Sequence, residues 1–140
     1  MIIDATNLIL GRLATISAKK VLLGEKVDIV NCEKAVVTGN RAMILSQFKR
    51  KVDLGIPLKG PYYPRMPDRI IRRTVRGMLP WKRTRGKEAF KRVMCYIGVP
   101  DEFKDKKIET IKEANVSKMP NLKYITVGEI SKSIGGKWQN

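Results

Sequence analysis

The densest chemical signal in the chain is cationic. Arg69, Arg72, Arg73 and Arg76 recur at steps of three, one and three. On a helix turning about 100° per residue they fall within an arc of roughly 100°. Ile71, Val75, Met78 and Leu79 form a second stripe on a different side. Such a helix docks one face on a core and presents four guanidinium groups on the other. Guanidinium binds phosphate bidentately and stays charged at any accessible pH. The plain alternative, a solvated basic face balanced by carboxylates of the same helix, has only Asp68 to draw on.

Cations and rings continue on both sides of this stripe. Lys49, Arg50 and Lys51 precede the run Lys59-Gly60-Pro61-Tyr62-Tyr63-Pro64-Arg65, and Trp81-Lys82-Arg83-Thr84-Arg85-Gly86-Lys87 follows. Aromatics interleaved with cations on irregular backbone suit folded RNA, whose exposed bases stack on rings while Lys and Arg hold phosphates. Tyr62, Tyr63 and Trp81 could equally cover core, and sequence alone leaves each open. Between 49 and 92 there are 15 Lys and Arg against 3 Asp and Glu, a local charge of +12 within a total of +16. A protein that needed charge only for solubility has no reason to concentrate it this way. The partner is therefore expected to be a polyanion. Duplex DNA fits less well, because a helix-turn-helix pair, zinc-finger ligands and a zipper are all missing.

Other chemistries are poorly supplied. The 140 residues contain no histidine, which removes Ser-His-Asp and Cys-His catalysis and every His-containing zinc site. Cys32 and Cys95 lie 63 positions apart and read as two half-buried thiols, neither a disulfide nor a metal pair. No G-x-x-x-x-G-K-[ST] loop occurs, and Gly11 and Gly39 stand alone. The run Thr38-Gly39-Asn40 is a plain helix start sooner than an anion site. Adjacent carboxylates such as Asp101-Glu102 diverge on regular structure and read as surface charge. No cofactor, metal or catalytic residue is expected. The apolar runs are too short to cross a bilayer, and the opening Met1-Ile2-Ile3-Asp4 lacks a basic n-region and an h-region.

The elements that must position the cations follow from periodicity. Residues 1–5 read as a short buried strand. Leu10, Leu13, Ala14, Ser17 and Val21 mark one helical face, with Thr6 or Asn7 as cap and Gly24 as stop. Strands follow at 27–30 and 35–37, then a helix carrying Ile44, Leu45, Phe48 and Val52. Strand, helix, strand over the first 31 residues of one domain is a βαβ unit, which predicts a parallel sheet with a right-handed crossover. The fold class is α/β: a small, mainly parallel sheet flanked by helices in three layers, with a basic Pro-rich loop. That loop, 54–67, holds Pro57, Pro61, Pro64 and Pro67 with Gly55 and Gly60, so it is extended and stiff. A helix at 68–78 stopped by Pro80, a short helix near 88–92 and a strand at 93–97 come next. Residues 101–121 read as an irregular solvated connection. An extended piece at 123–125 then leads to Thr126-Val127-Gly128-Glu129, which has capping-box spacing, with Gly135 as the stop.

Several of these motifs occur together in one known family. Val75-Arg76-Gly77-Met78-Leu79-Pro80, then Gly86-Lys87, then Val93-Met94-Cys95-Tyr96-Ile97-Gly98 resembles the signature of the large-subunit ribosomal proteins numbered thirteen. Asp4-Ala5-Thr6, Leu10-Gly11-Arg12-Leu13-Ala14, Val30-Asn31-Cys32-Glu33-Lys34 and Val37-Thr38-Gly39-Asn40 are similar to the same family. The run from Lys59 to Arg65 is similar to its archaeal and eukaryotic branch. The resemblance spans about 4–100 and 126–135, with Cys95 standing where the family more often has an aliphatic residue. It implies an α/β fold and a structural role in the cytoplasmic ribosome: binding large-subunit rRNA beside other large-subunit proteins and supporting assembly. DNA, membrane and a second copy of the chain are not expected partners. Carried onto this chain, 75–80 and 86–87 become part of the RNA-facing region, where Gly77 would permit close approach of RNA or of the next helix. A non-ribosomal RNA-binding protein using the same patch, and a small nucleotide-handling enzyme on the βαβ unit, are the alternatives.

Overall fold

The computed structural model describes residues 1–138. Strand β1 (Ile2–Asp4), helix α1 (Leu10–Leu22) and strand β2 (Val27–Val30) form the expected βαβ unit. β1 and β2 run parallel with Ile3 beside Ile29. All four residues of β2 are buried, as a strand covered on both faces requires. Next come β3 (Val36–Thr38), α2 (Arg41–Asp53), α3 (Pro67–Gly77), α4 (Thr84–Lys91), β4 (Val93–Cys95), β5 (Ile108–Glu109), β6 (Tyr124–Thr126) and α5 (Val127–Ser133). The main sheet has the order β4-β2-β1-β5 and is parallel throughout. α1 packs against α3 and α4, and α5 against α2, α3 and the 3-10 turn Cys32–Lys34.

Several boundaries differ from the periodicity reading, each for a local reason. β3 does not join the main sheet but pairs antiparallel with β6 in a separate ribbon, Val37 beside Ile125. α1 starts without a side-chain cap, since Ile9 occupies the cap position. Thr6 and Asn7 are engaged elsewhere: the Thr6 hydroxyl donates to Asp4, and Asn7 takes a left-handed φ of 58°. α3 opens on Pro67 itself, because the first helical position needs no amide donor. α4 begins at Thr84 rather than near Glu88, and strand β4 ends at Cys95 rather than Ile97. Segment 101–121 contains three 3-10 turns and β5, whose Ile108 and Glu109 lie beside Ile2 and Ile3. Both thiols are buried rather than half-buried, and burial pushes the Cys32 thiol well up.

Other local expectations hold. Gly24 (φ 104°) and Gly135 (φ 85°) take the left-handed backbone that ends their helices. Asn40 accepts from the Ala42 amide at 3.0 Å, and Thr126 from the Glu129 amide at 3.2 Å. Glu129 does not complete a capping box, because its carboxylate pairs with Arg41 at 2.6 Å instead.

Two contacts fix how the elements meet. At the end of β1, Asp4 Oδ1 accepts from the Thr6 amide (2.9 Å), the Thr6 hydroxyl (2.7 Å) and Asn31 Nδ2 (3.0 Å). This closes the ends of the two central strands on one carboxylate. Burial acts to raise its pKa, but the bonds from Thr6 and Asn31 and the charge of Lys34 outweigh it and hold the carboxyl below its ordinary value. At the start of α4, Gly86 is buried so close to the preceding turn that a Cβ would overlap the Pro80 carbonyl.

Asp4→Ala is expected to cost about 1–3 kcal/mol near neutral pH, because it orphans three donors around a charged acceptor. A depressed carboxyl stabilises the fold above the unfolded value of about 3.9 and loses that contribution as pH falls through the folded value. Urea unfolding should therefore show the gap between parent and variant narrowing below about pH 4. Gly86→Ala should destabilise by about 1–3 kcal/mol, reversing the usual gain from replacing a helical glycine with alanine.

Candidate nucleic-acid interface

α3 is amphipathic in the sense its sequence predicts. Ile70, Ile71 and Val75 are fully buried and mount the helix on the core beside α1 and β4. The other side carries the arginines, which are not equivalent. Arg69 and Arg73 are exposed, whereas Arg72 and Arg76 are half-buried. Arg72 donates from Nε to the Val93 carbonyl at 3.1 Å and lies 4.5 Å over the Phe90 ring. Arg76 lies 4.1 Å over Trp81, and Arg73 lies 5.2 Å from Tyr63. Trp81 and Phe90 meet edge to face at 5.0 Å, as do Phe48 and Tyr63 at 6.0 Å. Burial raises the Tyr63 phenol pKa although Arg73 pulls it down, so this ring stays neutral.

The arginines of α3 with Tyr63, Trp81 and Phe90 line one open cavity of about 790 Å³, bordered by the end of the Pro-rich loop. Tyr62, Tyr63, Arg65, Arg69, Arg72, Arg73, Arg76 and Trp81 all face it. The loop is shaped by its own bonds: Ile56 and Gly60 form a tight bridge, and the Tyr62 hydroxyl donates to the Pro57 carbonyl at 2.8 Å. Its far end is fastened to α5, where the Ser131 hydroxyl donates to the Arg65 carbonyl and accepts from the Trp138 indole at 3.1 Å. Lys51 borders a smaller neighbouring depression with Tyr63 and Arg73, and sits 4.8 Å over Phe48.

The remaining cations stand around this cavity rather than in it. Lys49 and Arg50 are exposed on the last turns of α2, and Lys59 is exposed near the loop tip. Lys82 and Arg83 are exposed on the turn before α4. Arg85 and Lys87 are exposed on α4 itself, so they stand on regular helix and not on an irregular run. Gly77 is exposed, and a Cβ there would meet nothing within 4 Å, so no neighbouring helix requires the glycine. Phe90 lines the cavity and is not among the expected site residues, and Phe48, expected as an apolar position of α2, sits behind Tyr63. The available signal for Phe90 was an aromatic inside the basic stretch.

The electrostatics of the face are one-sided. The four ion pairs among the described residues are Lys20–Glu25, Lys26–Asp28, Arg41–Glu129 and Lys104–Asp101. Not one of the 15 Lys and Arg in 49–92 takes part in them. Asp68, the lone acid on α3, keeps one oxygen buried without a hydrogen-bond partner and does not bridge to the arginines. Among the described residues no group of three metal-ligating side chains assembles, and no helix is long and apolar enough to cross a membrane. The arrangement can hold several phosphates at once.

Known proteins share this sequence along its length. Residues 1–102 match the family described as Ribosomal protein L13. The chain is 48% identical over 136 residues to large ribosomal subunit protein uL13 of Methanopyrus kandleri, covering 96% of this chain and 86% of that protein. It is 48% identical over 138 residues to the protein of the same name from Methanosarcina barkeri, covering 98% and 99%. With that of Thermoplasma volcanium it shares 46% over 135 residues, covering 96% and 98%. These archaeal relatives agree with the branch indicated by the run from Lys59 to Arg65. With this identity over nearly the whole chain, and a parallel α/β fold carrying a cationic helix, the chain belongs to the ribosomal protein L13 family, structural and non-enzymatic constituents of the large ribosomal subunit.

Proposed function

We propose that the protein binds large-subunit rRNA through the face formed by α3, the Pro-rich loop and the start of α4, and that this contact supports assembly of the subunit beside neighbouring ribosomal proteins. The observation that carries the reading is the absence of any carboxylate partner for the cations of 49–92 among the described residues. Like charges crowded on one helix repel one another in the free protein, and rRNA phosphates supply the missing counter-charge. α3 holds the guanidinium groups at fixed spacing because its other side is locked in the core. The loop, tied at Pro57 and Arg65, loses little further entropy on docking. Phosphate contacts then supply most of the affinity and set the register.

Binding to protein-free large-subunit rRNA should depend steeply on salt. With about 8 phosphates neutralised, log K falls against log salt with a slope on the order of −6 to −7; a nearly flat titration defeats the electrostatic account. Arg69→Ala with Arg73→Ala removes the two exposed guanidinium groups without touching the Arg72 bond to Val93. That double variant should bind about tenfold more weakly, with a slope shallower by about 1.5, and an unchanged circular dichroism spectrum and melting temperature.

A further inference from the structure

Rings in an RNA-facing surface are ordinarily assigned to base stacking, and here most of them are already occupied. Trp81 carries Arg76 at 4.1 Å, Phe90 carries Arg72 at 4.5 Å, and Tyr63 carries Arg73 at 5.2 Å. A guanidinium lying that close fills the ring face a base would need. Each ring also packs edge to face on a neighbour, Trp81 against Phe90 and Tyr63 against Phe48. Tyr62 is different. It is 70% exposed, its hydroxyl is held at Pro57, and among the described residues no cation lies over its ring.

Among the described residues the cavity wall also lacks the amides and carboxylates that read base edges. Its side chains there are arginine, tyrosine, proline, methionine, tryptophan and phenylalanine. Adenine and cytosine are read by those absent amides and carboxylates, while arginine serves phosphate as readily as guanine. A guanidinium resting flat on a ring has already given up much of its rotamer freedom, so it grips an anion at lower ordering cost. Arg72 and Arg76 lie one helical turn apart, about 6 Å along the axis, so neighbouring phosphates of one strand can reach both.

We propose that this cavity is a phosphate cradle for a tightly folded stretch of RNA backbone, in which Trp81, Phe90 and Tyr63 are positioning residues that seat Arg76, Arg72 and Arg73, and Tyr62 alone offers a ring to a base. The proposal rests on the RNA-binding reading above and names the part of the ligand that the site holds.

Two probes separate the roles: protein-free large-subunit rRNA, and long-chain inorganic polyphosphate, which has no bases. Trp81→Leu removes the seat of Arg76 and should weaken both probes about fivefold, with the salt slope for rRNA shallower by about 0.7–0.9. Trp81→Phe, which keeps a flat ring, should restore both. Phe90→Leu should repeat the pattern through Arg72, and stands in if the Trp81 variant fails to fold. Tyr62→Leu should weaken rRNA alone and leave polyphosphate unchanged. The assignment is overturned if Trp81→Leu and Phe90→Leu weaken rRNA but spare polyphosphate, which is the behaviour of stacking rings, or if they affect neither. Should the Arg69 and Arg73 double variant bind rRNA normally, the RNA-binding reading itself fails, and the cradle with it.

Discussion

Everything on the basic face depends on a repulsion that the protein does not neutralise. Four guanidinium groups share one side of an eleven-residue helix, and no ion pair among the described residues reaches them. The helix survives because its opposite side is sealed. Ile70, Ile71 and Val75 are buried completely, each contributing about 1.5–3 kcal/mol. That is enough to outweigh like-charge repulsion between surface groups in high dielectric. The rings spread the charge further by drawing three of the four arginines toward π-faces. Packing below and aromatic seats above let the helix carry a charge density that a solvated helix would relieve by fraying.

The sheet supplies the fixed distances. α3 is pressed between α1 and β4, and β4 is the edge neighbour of β2. Arg72 reaches back to the Val93 carbonyl at the first residue of β4, so the cationic helix is keyed to the strand register and not only to side-chain packing. On the opposite flank the Arg65 backbone is held by α5. The two walls of the cavity are thus anchored to separate parts of the core, and the gap between them is set by the whole fold.

Sequence reasoning recovered what repeats and missed what depends on a single close approach. The α3 stripe, the βαβ unit and the caps at Asn40 and Thr126 were legible because periodicity and capping chemistry are local. The early start of α4 was hidden because Gly86 looks like a loop residue until the Pro80 carbonyl is seen beneath it. The pairing of β3 with β6 joins residues about ninety positions apart and leaves no local trace. Within the candidate site, the residue types were legible but their pairing was not. Nothing in the spacing says that Arg76 rests on Trp81 while Arg69 stands free, because those contacts cross between elements.

The ribbon of β3 and β6 also bears on how the molecule is made. Val127 and Ile130 are fully buried, Ile125 is nearly so, and β5 covers the outer edge of β1. The N-terminal two-thirds of the chain emerges first during synthesis, yet it lacks these pieces and leaves part of its apolar interior uncovered. The residues of the cationic helix, by contrast, all precede position 78. A nascent chain therefore carries its cations before it has the last pieces, α5 among them, that seal the apolar side of α3 and hold those cations at their final spacing.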